Sequence, residues 1–439
     1  MDKANFKAQV YAMQSGQRRL ATLPPAKRNA MLLAISGALK ENSQRIFKAN
    51  QSDMERSKKA NLALVLQKRL LFDETKLGDA CEGIEQVAAL RDPIGEVQER
   101  RLLDEGLLLE RVTVPIGVIG MIFESRPDAL IQIIALSLKS GNGIVLKGGS
   151  EALETNIELV AVIREALEPF SAGSDWIVHM ESREDVATIL KLDDVIDLLI
   201  PRGSNEFVRY IMDNTKIPVL GHADGLCAIY VDHEYDADLA VKVTVDAKCQ
   251  YPAVCNAVET LLVHSSVAQE FLPKLQEALK PWNVLLKGDE RVQKIIECAA
   301  ASEEDFKTEF LDYIMAIKVV DSYEEAVEHI TKYGSHHTDA IITSNKSTAQ
   351  RFLREVDSAD VFWNCSTRFA DGFRYGLGAE VGIGTQRIHA RGPVGLNGLV
   401  TSKWLLGGQG HIVAPYAEGR PFKHIDLDND KSELYGGEE

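Results

Sequence analysis

The stretch VPIGVIGMIFESRPDALIQIIALSLKSGNGIVLKGGS, which spans residues 114–150, decides the fold. It begins with a continuous apolar run at 117–123, continues with a helical pattern from Asp128 to Ser140, and ends with a second apolar run at 143–147. Apolar strands that alternate with amphipathic helices are typical of a parallel sheet covered on both faces. The stretch therefore predicts a β-α-β unit.

The alternation continues toward the C-terminus in two series. The strand-like segments WIVHM, VIDLLIP and IPVL alternate with helical patterns as far as residue 220. A second series runs from LCAIYVD (226–232) through IMAIKVV (314–320) to ADVFWN (359–364). Strands and helices that alternate in this way predict two α/β domains, each built on a parallel sheet.

The flanking segments have other patterns. Residues 1–90 show helical spacing, and 97–114 alternates polar and apolar residues around Asp104-Glu105-Gly106, which predicts a β-hairpin. The segment GLVTSKWLLGGQGHIV (398–413) has the pattern of a strand, a glycine turn and a strand, which predicts a second hairpin. Residues 416–439 are polar and acidic, so we expect a disordered tail.

Composition and charge narrow the classes of function. The chain has 439 residues, 45% of them hydrophobic, and 49 basic against 65 acidic residues give a formal net charge of −16. This acidity argues against nucleic acids and anionic membranes as partners. No apolar run reaches the ~18–20 residues of a membrane helix, and the N-terminus lacks the apolar core of a signal peptide.

The six cysteines are too sparse for a disulfide framework and form no CxxC pair, so we expect a cytoplasmic protein with free thiols and no metal site. Cys255, in KCQYPAVCNAVETLLVH (248–264), follows a proline turn and precedes a strand-like run. A thiolate there could attack a carbonyl carbon and hold an acyl group as a thioester. A small buried hydrophobic residue is the alternative interpretation.

Two segments that contain glycine are also candidate ligand-binding segments. KGGS (147–150) lies between a predicted strand and a helix, where a backbone can approach a phosphate or a ribose, although a plain turn explains it equally. The segment 369–395 is rich in glycine and carries Arg374, Arg387 and Arg391. It could supply cations to an anionic ligand, or it could be a loop with solvated charges.

Together these segments resemble the gamma-glutamyl phosphate reductases, a branch of the aldehyde dehydrogenase superfamily. The resemblance runs from about residue 10 to about residue 410. Its most specific stretches are VPIGVIGMIFESRPD (114–128), LKSGNGIVLKGGSEA (138–152), CQYPAVCNAVETLLVH (249–264), STRFADG (366–372) and GLGAEVGIGTQRIHARGPVGL (376–396).

The resemblance implies an α/β, aldehyde dehydrogenase-like fold with two Rossmann-like parallel-sheet domains and a small β-hairpin oligomerisation element. The implied parts are a nucleotide-binding domain (1–96 and 115–225), a catalytic thiol domain (226–392), oligomerisation hairpins (97–114 and 393–415) and a tail (416–439). A homo-oligomer is expected, because exposed strand edges need partners.

The resemblance also implies a nucleotide site. Lys147, with Gly148 beside it, matches a lysine that binds the adenosine ribose, and Gly203-Ser204 matches a pair near the pyrophosphate. Ser150 replaces a ribose-binding glutamate of many NAD-using relatives. The loss of that carboxylate removes repulsion against a 2′-phosphate, so NADP(H) is the expected cofactor. Glu309 matches a glutamate that holds the nicotinamide ribose.

Cys255 matches the nucleophilic cysteine of the superfamily. Arg126 lies near the position of an asparagine that stabilises the oxyanion, and Asn256 is a second candidate for that role. Arg126 and Arg368 are candidates for the carboxylate or phosphate of the substrate, although each could instead form a structural ion pair. His222 could line the pocket or be structural. Val219 replaces a glutamate that activates water in relatives that hydrolyse the thioester.

The function implied is the NADPH-dependent reduction of gamma-glutamyl phosphate to glutamate 5-semialdehyde and phosphate, through a cysteine thioester, in proline biosynthesis. Functional coupling to glutamate 5-kinase would follow. Two alternatives stay open. One is a dehydrogenase of the same superfamily for another semialdehyde or acyl phosphate, and the other is a catalytically silent nucleotide-binding assembly protein.

Overall fold

The computed structural model describes residues 3–62, 64–123, 126–180, 185–221, 224–428 and 432–435. Its helices are α1 (Lys3–Ala21), α2 (Pro25–Glu41), α3 (Ser43–Lys59), α4 (Leu64–Leu70), α5 (Glu74–Ala89), α6 (Pro127–Lys139), α7 (Leu153–Leu167), α8 (Asp185–Ile189), α9 (Asn205–Asp213), α10 (Ala237–Cys249), α11 (Ser265–Leu279), α12 (Glu290–Gln293), α13 (Tyr323–Tyr333), α14 (Lys346–Glu355) and α15 (Ala414–Ala417).

The strands form three larger sheets and one short pair. They are β1 (Val97–Asp104), β2 (Leu107–Pro115), β3 (Val118–Phe123), β4 (Gly143–Lys147), β5 (Ile177–Met180), β6 (Leu198–Arg202), β7 (Cys227–Val231), β8 (Val258–His264), β9 (Leu285–Gly288), β10 (Ala299–Ala300), β11 (Ile314–Val320), β12 (Thr338–Ile342), β13 (Asp360–Trp363), β14 (Gly382–Gly384), β15 (Gly392–Val394), β16 (Val400–Gly407) and β17 (Ile425–Asp426).

The first sheet is parallel and has the strand order β5-β4-β3-β6. Strand β3 is buried along its whole length, and α6 joins it to β4, as the opening β-α-β prediction requires. The register pairs Ile122 with Lys147 and Phe123 with Arg202, so the carboxyl ends of three neighbouring strands meet at one edge. In open α/β sheets this is the edge where ligands bind.

The second sheet has seven parallel strands in the order β10-β9-β11-β8-β7-β12-β13. The sequence predicted its other five strands, including apolar runs at 258–264 and 339–344, but it did not indicate β9 and β10. These two strands lie at one end of the sheet and contain exposed residues, so no continuous apolar run marks them. The predicted strand IPVL is also wrong, because 217–220 forms only one bridge, between Leu199 and Val219.

The third sheet is antiparallel, with the order β16-β2-β1-β17. The hairpin predicted at 97–114 is confirmed, and Gly106 takes the positive φ of +70° that its tight turn needs. The second hairpin is wrong. Only one strand, β16, forms there, and it pairs with β2 instead of with its own continuation. Beyond the glycine turn the chain enters the short helix α15, and Val413 is left 77% exposed.

The predicted disorder of the tail is wrong for residues 416–428 and 432–435. Strand β17 pairs with β1, and Asp426 forms an ion pair with Arg101 at 2.6 Å. The buried carboxylate of Glu110 accepts hydrogen bonds from the N–H of Glu433 at 2.9 Å and of Leu434 at 3.1 Å. The polar composition of the tail could not reveal that its N–H groups bind the buried carboxylate of Glu110 on β2.

Among the described residues, neither a membrane-spanning helix nor a metal-binding cluster is present. No helix there has both the length and the apolar character that a bilayer-spanning segment needs. Within the same residues, no group of three or more histidine, cysteine, aspartate or glutamate side chains is arranged to hold a metal ion.

Candidate active site

The loop between α10 and β8 carries Cys255, and the structure holds this loop tightly from behind. The Cys227 thiol donates a hydrogen bond to the Cys255 carbonyl oxygen at 3.1 Å. Gly225 packs against the same carbonyl group so closely that a Cβ atom at position 225 would lie 2.2 Å from the Cys255 oxygen. The Cys255 side chain itself is half-buried, so the loop presents a thiol on a fixed backbone.

The other five cysteines differ from Cys255 in their surroundings. Burial raises the pKa of Cys81, Cys227, Cys298 and Cys365, and it raises the pKa of Cys249 to about 11. Because the thiolate is the nucleophilic form, these five are poor nucleophiles at neutral pH. The interpretation of a small buried hydrophobic residue fits Cys81, Cys227 and Cys249, and Cys255 remains the candidate nucleophile.

The backbone N–H groups of the turn around Cys255 are partly engaged and partly open. The Ala257 N–H donates to the Val254 carbonyl oxygen at 3.1 Å and closes the turn. Among the described residues, nothing accepts a hydrogen bond from the N–H of Cys255 or of Asn256. Two unengaged N–H groups next to a nucleophile are what an oxyanion hole requires.

The Asn256 side chain lies beside this turn but is turned toward the protein. It is buried, and its Nδ2 donates to the Ala370 carbonyl oxygen at 2.7 Å. This bond ties the thiol loop to the STRFADG segment. The predicted oxyanion role of the Asn256 side chain stays a prediction, and the contact observed is a positioning one.

Arg368 is the notable cation of the site. It lies in a 3-10 helix (Thr367–Phe369), is 8% exposed, and donates from Nε to Gln250 Oε1 at 2.9 Å. Burial lowers its pKa, and its charge interacts with Cys255. No carboxylate in the described part of the chain forms an ion pair with it. A buried guanidinium whose outer nitrogens are open favours an anionic ligand.

The other predicted or considered arginines do form ion pairs. Arg126 is 51% exposed on its side chain and pairs with Asp128 at 3.2 Å. In the glycine-rich loop, Arg374 pairs with Asp371 at 3.1 Å, and Arg391 and Arg387 share Asp357. For this loop the structure supports the interpretation of structural ion pairs. Arg126 keeps its position at the sheet edge, and its role there stays a prediction.

Arg202 was missed by the sequence analysis. It ends β6, its guanidinium lies against Gly382 of the glycine-rich loop, and a Cβ atom on Gly382 would be 3.0 Å from its Nη1. Burial lowers its pKa, the charge of Glu380 opposes that shift, and Cys255 also interacts with it. The available signal was its place at a strand end directly before Gly203-Ser204.

The predicted nucleotide residues lie along the carboxyl edge of the first sheet. Lys147 is buried at the end of β4, and its ammonium donates to the Gly148 carbonyl oxygen. Position 148 requires a glycine, because a Cβ atom there would lie 2.2 Å from Asn156 Nδ2. Ser150 begins a 3-10 helix (Ser150–Ala152), and its carbonyl oxygen accepts from Arg56 Nη2 at 3.1 Å.

Gly203 and Ser204 are exposed at the start of α9, two strands away from Lys147. Ser204 is the N-cap of that helix, and its side chain makes no capping hydrogen bond. The first N–H groups of a helix bind anions well, so this end fits a pyrophosphate. Asn205 Nδ2 donates to Glu309 Oε2 at 2.8 Å, which brings the predicted ribose-binding carboxylate to the same helix start. His222 lies outside the described residues.

His179 provides a pH test of the packing behind Lys147. Burial lowers the pKa of this β5 histidine to about 4, assisted by the charges of Arg164 and Lys147. The unfolded chain binds a proton near pH 6.5, but the folded chain resists until about pH 4, so stability is lost as the pH falls between these values.

Between pH 7 and pH 5, we expect the free energy of unfolding to fall by about 2 kcal/mol less in His179→Leu than in the unmodified chain. Urea unfolding at the two pH values measures this difference. His424→Gln, at an exposed position, is the control and should keep the original pH dependence. An unchanged pH dependence in His179→Leu would show that the folded state already protonates this histidine.

Comparison with known proteins connects this geometry to one family. A sequence model described as the aldehyde dehydrogenase family matches residues 1–294. A relative from Acetivibrio thermocellus, named gamma-glutamyl phosphate reductase, is 55% identical over 416 residues, which cover 94% of this chain and 96% of the relative. A relative of the same name from Cyanothece sp. is 51% identical over 96% of this chain and 98% of its own.

Solved structures agree with the sequence relatives. The crystal structure of gamma-glutamyl phosphate reductase from Thermotoga maritima matches with a TM-score of 0.91 at 40% identity, and the match covers 93% of this chain and 99% of that one. An acetylating aldehyde dehydrogenase from Geobacillus thermoglucosidasius matches with a TM-score of 0.64 at 16% identity, over 93% and 98% of the two chains, which shows a shared fold alone. The predicted fold class is confirmed.

Proposed function

The chain belongs to the gamma-glutamyl phosphate reductases of the aldehyde dehydrogenase family, and from that premise we propose that it reduces gamma-glutamyl phosphate to glutamate 5-semialdehyde and phosphate in proline biosynthesis. One observation supports this function above the others: the half-buried thiol of Cys255 interacts electrostatically with Arg368, a buried guanidinium that forms no ion pair with a carboxylate among the described residues. Such a pair suits a substrate that is both an acyl donor and an anion.

The first step is acyl transfer to the enzyme. The Cys255 thiolate attacks the acyl carbon, a C–S bond forms, and the bond from that carbon to the phosphate oxygen breaks as phosphate leaves. The N–H groups of Cys255 and Asn256, which have no acceptor among the described residues, would stabilise the negative oxygen, and one such donor is typically worth about 3 kcal/mol. Arg368, with Arg202 near the same thiol, binds the anionic groups of the substrate.

The thioester must survive until reduction. Aldehyde dehydrogenases use nicotinamide cofactors, and a reduced cofactor bound here would supply a hydride to the thioester carbon. The C–S bond would then break, which releases the semialdehyde and returns the Cys255 thiolate. Val219, at the position of the water-activating glutamate, packs on the apolar cluster beneath the first sheet and pairs with Leu199. An apolar side chain cannot deprotonate water, so this chain offers no base there to hydrolyse the acyl group.

The residues present fit a nicotinamide dinucleotide. The uncapped start of α9 can hold the pyrophosphate, and Glu309 keeps its Oε1 without a partner in the described residues, so it can accept a ribose hydroxyl. Lys147, buried at the end of β4, would face the adenosine side. The hydrogen bond from Asn205 to Glu309 joins the α9 start to the domain that carries Cys255, so a dinucleotide held at α9 would lie next to that domain.

We propose NADP(H) as the preferred cofactor, on the absence of a carboxylate at Ser150. One contact opposes this preference, because the Glu151 carboxylate folds over Gly149 and would lie 2.1 Å from a Cβ atom there. We expect the unmodified chain to have a much lower KM for NADPH than for NADH. Ser150→Glu should raise the NADPH value roughly tenfold or more, and Glu151→Gln should lower it. Equal values for the two cofactors would refute the preference.

An assembled, cytoplasmic enzyme is part of the same proposal. Strand β16 is an edge strand of the third sheet, and it carries Trp404 at 53% and Leu406 at 59% exposure. Exposed strand edges and apolar side chains favour association with a second copy. Acyl phosphates hydrolyse readily, so functional coupling to glutamate 5-kinase would shorten the exposure of the substrate to water.

Phosphate-dependent reduction of NADP⁺ by glutamate 5-semialdehyde, the reverse reaction, tests substrate, cofactor and thioester exchange together. A rate that requires phosphate supports the proposal. An equal rate without phosphate would instead identify a hydrolytic aldehyde dehydrogenase.

A further inference from the structure

A buried ion pair lies beneath the thiol loop and has no part in the chemistry described so far. Lys248 and Glu259 are 0% and 1% exposed on their side chains, and Lys248 Nζ lies 2.6 Å from Glu259 Oε2. Lys248 is near the end of α10 and Glu259 is the second residue of β8, so the pair joins the two ends of the loop that holds Cys255.

Stability alone gives no reason for this pair. Removing two charges from water is costly, and well-packed apolar residues often replace a buried ion pair without loss of stability. Burial raises the pKa of Glu259, and the Lys248 ammonium opposes that shift by favouring the charged carboxylate. A buried charge is therefore expected to serve a further contact.

That contact is to the segment that carries Glu309. The second oxygen of the Glu259 carboxylate, Oε1, accepts a hydrogen bond from the N–H of Leu311 at 3.2 Å. Leu311 has a φ of +53°, in the left-handed region that a leucine rarely adopts, and its side chain is 42% exposed. Because the side chain is exposed, packing contributes little to holding this conformation, and the hydrogen bond to Glu259 restrains the Leu311 amide directly.

Glu309 is two residues before Leu311 and reaches across to the first residue of α9, where Asn205 Nδ2 donates to it. We propose that Glu259, held by Lys248, is a positioning residue: through the backbone of Leu311 it sets the place of the Glu309 carboxylate for a nicotinamide dinucleotide. The proposal rests on the dinucleotide site proposed above. It couples the base of the Cys255 loop to the cofactor crevice through a single carboxylate.

Direct binding tests this role without turnover. Glu259→Gln should weaken NADPH binding at least tenfold in a fluorescence titration, because a neutral amide loses Lys248 and binds the Leu311 N–H less firmly. The double variant Lys248→Met/Glu259→Leu removes both buried charges, should fold, and should show the same weak binding. Glu270→Gln, which breaks an exposed pair with Lys274, is the matched control and should bind as the unmodified chain does.

Two further readouts separate positioning from general damage. Hydrogen exchange at the Leu311 amide should be slow in the unmodified chain and at least tenfold faster in both variants. Alkylation of Cys255 by iodoacetamide should stay within about twofold of the unmodified rate. Unchanged NADPH affinity in the double variant, or fast exchange at Leu311 in the unmodified chain, would overturn the role of Glu259.

The outcome is separable from the proposed function. If the unmodified chain binds NADPH but does not convert gamma-glutamyl phosphate, the proposed substrate is wrong and the role of Glu259 stands on the binding data. If the unmodified chain binds neither NADPH nor NADH, the role of Glu259 is wrong as well.

Discussion

Cys255→Ala lowers the kcat of NADPH-dependent reduction by about 10⁴-fold or more, because the thioester cannot form without the sulfur nucleophile. Cys255→Ser keeps a hydroxyl in place, but an unactivated serine is a far weaker nucleophile, so its activity should also be lost. Initial rates of NADPH consumption measure both variants. Since Gly225 and Cys227 fix the backbone of the loop, both variants should keep the fold and bind NADPH normally.

Matched cysteine variants make this prediction specific. Cys249→Ala and Cys365→Ala remove thiols that burial keeps protonated, and we expect much of the activity to remain in each. Iodoacetamide at neutral pH should label Cys255 faster than the other five cysteines. Full activity in Cys255→Ala, or activity lost only in Cys249→Ala, would contradict the assignment of the nucleophile.

Arg368→Met produces the second large effect, a fall of roughly 10²- to 10³-fold in kcat/KM for the acyl phosphate. Truncating one partner of a buried charge pair typically costs about 2–5 kcal/mol, and Arg368 has no protein carboxylate among the described residues that would be left unpaired. The loss should therefore appear in substrate kinetics, and the free energy of unfolding should change little or rise. Steady-state kinetics and urea unfolding give the two values.

Two comparisons define the role of Arg368. Arg368→Lys keeps a charge but not the planar fork that binds an anion with two hydrogen bonds, so it should fall between the original and Arg368→Met. Arg387→Met removes an exposed arginine that pairs with Asp357, and it should leave kcat/KM within about twofold. If Arg368→Met matched Arg387→Met, the buried guanidinium would have no part in substrate binding.

The sequence predicted the framework of this protein because its signals are local. Continuous apolar runs at β3, β4 and β11 and helical spacing between them are properties of neighbouring residues, and the structure confirms those elements. Gly106 also predicted the turn between β1 and β2, which the structure confirms. The family resemblance, carried by long ordered stretches, also predicted Glu309 as a ribose-binding residue, and the structure brings its carboxylate to Asn205 at the start of α9.

The errors and omissions are of another kind. The tail order depends on the buried carboxylate of Glu110, which accepts donors more than 300 positions away in the chain. Arg374 forms an ion pair with Asp371, whereas Arg368 is buried and forms no ion pair among the described residues, and sequence spacing does not reveal this difference. Arg202 and Glu259 gain their surroundings from strands that are distant in sequence. Long-range burial and pairing, not local pattern, decide these cases.

The central claim is that Cys255 holds an acyl group that only phosphate releases efficiently. It is tested most directly by mixing the enzyme with NADP⁺ and glutamate 5-semialdehyde, first without phosphate and then with it, while NADPH formation is followed. We predict a burst of about one NADPH per Cys255 without phosphate, steady turnover once phosphate is added, and no burst in Cys255→Ala. Continuous turnover without phosphate, or an equal burst in Cys255→Ala, would contradict the account.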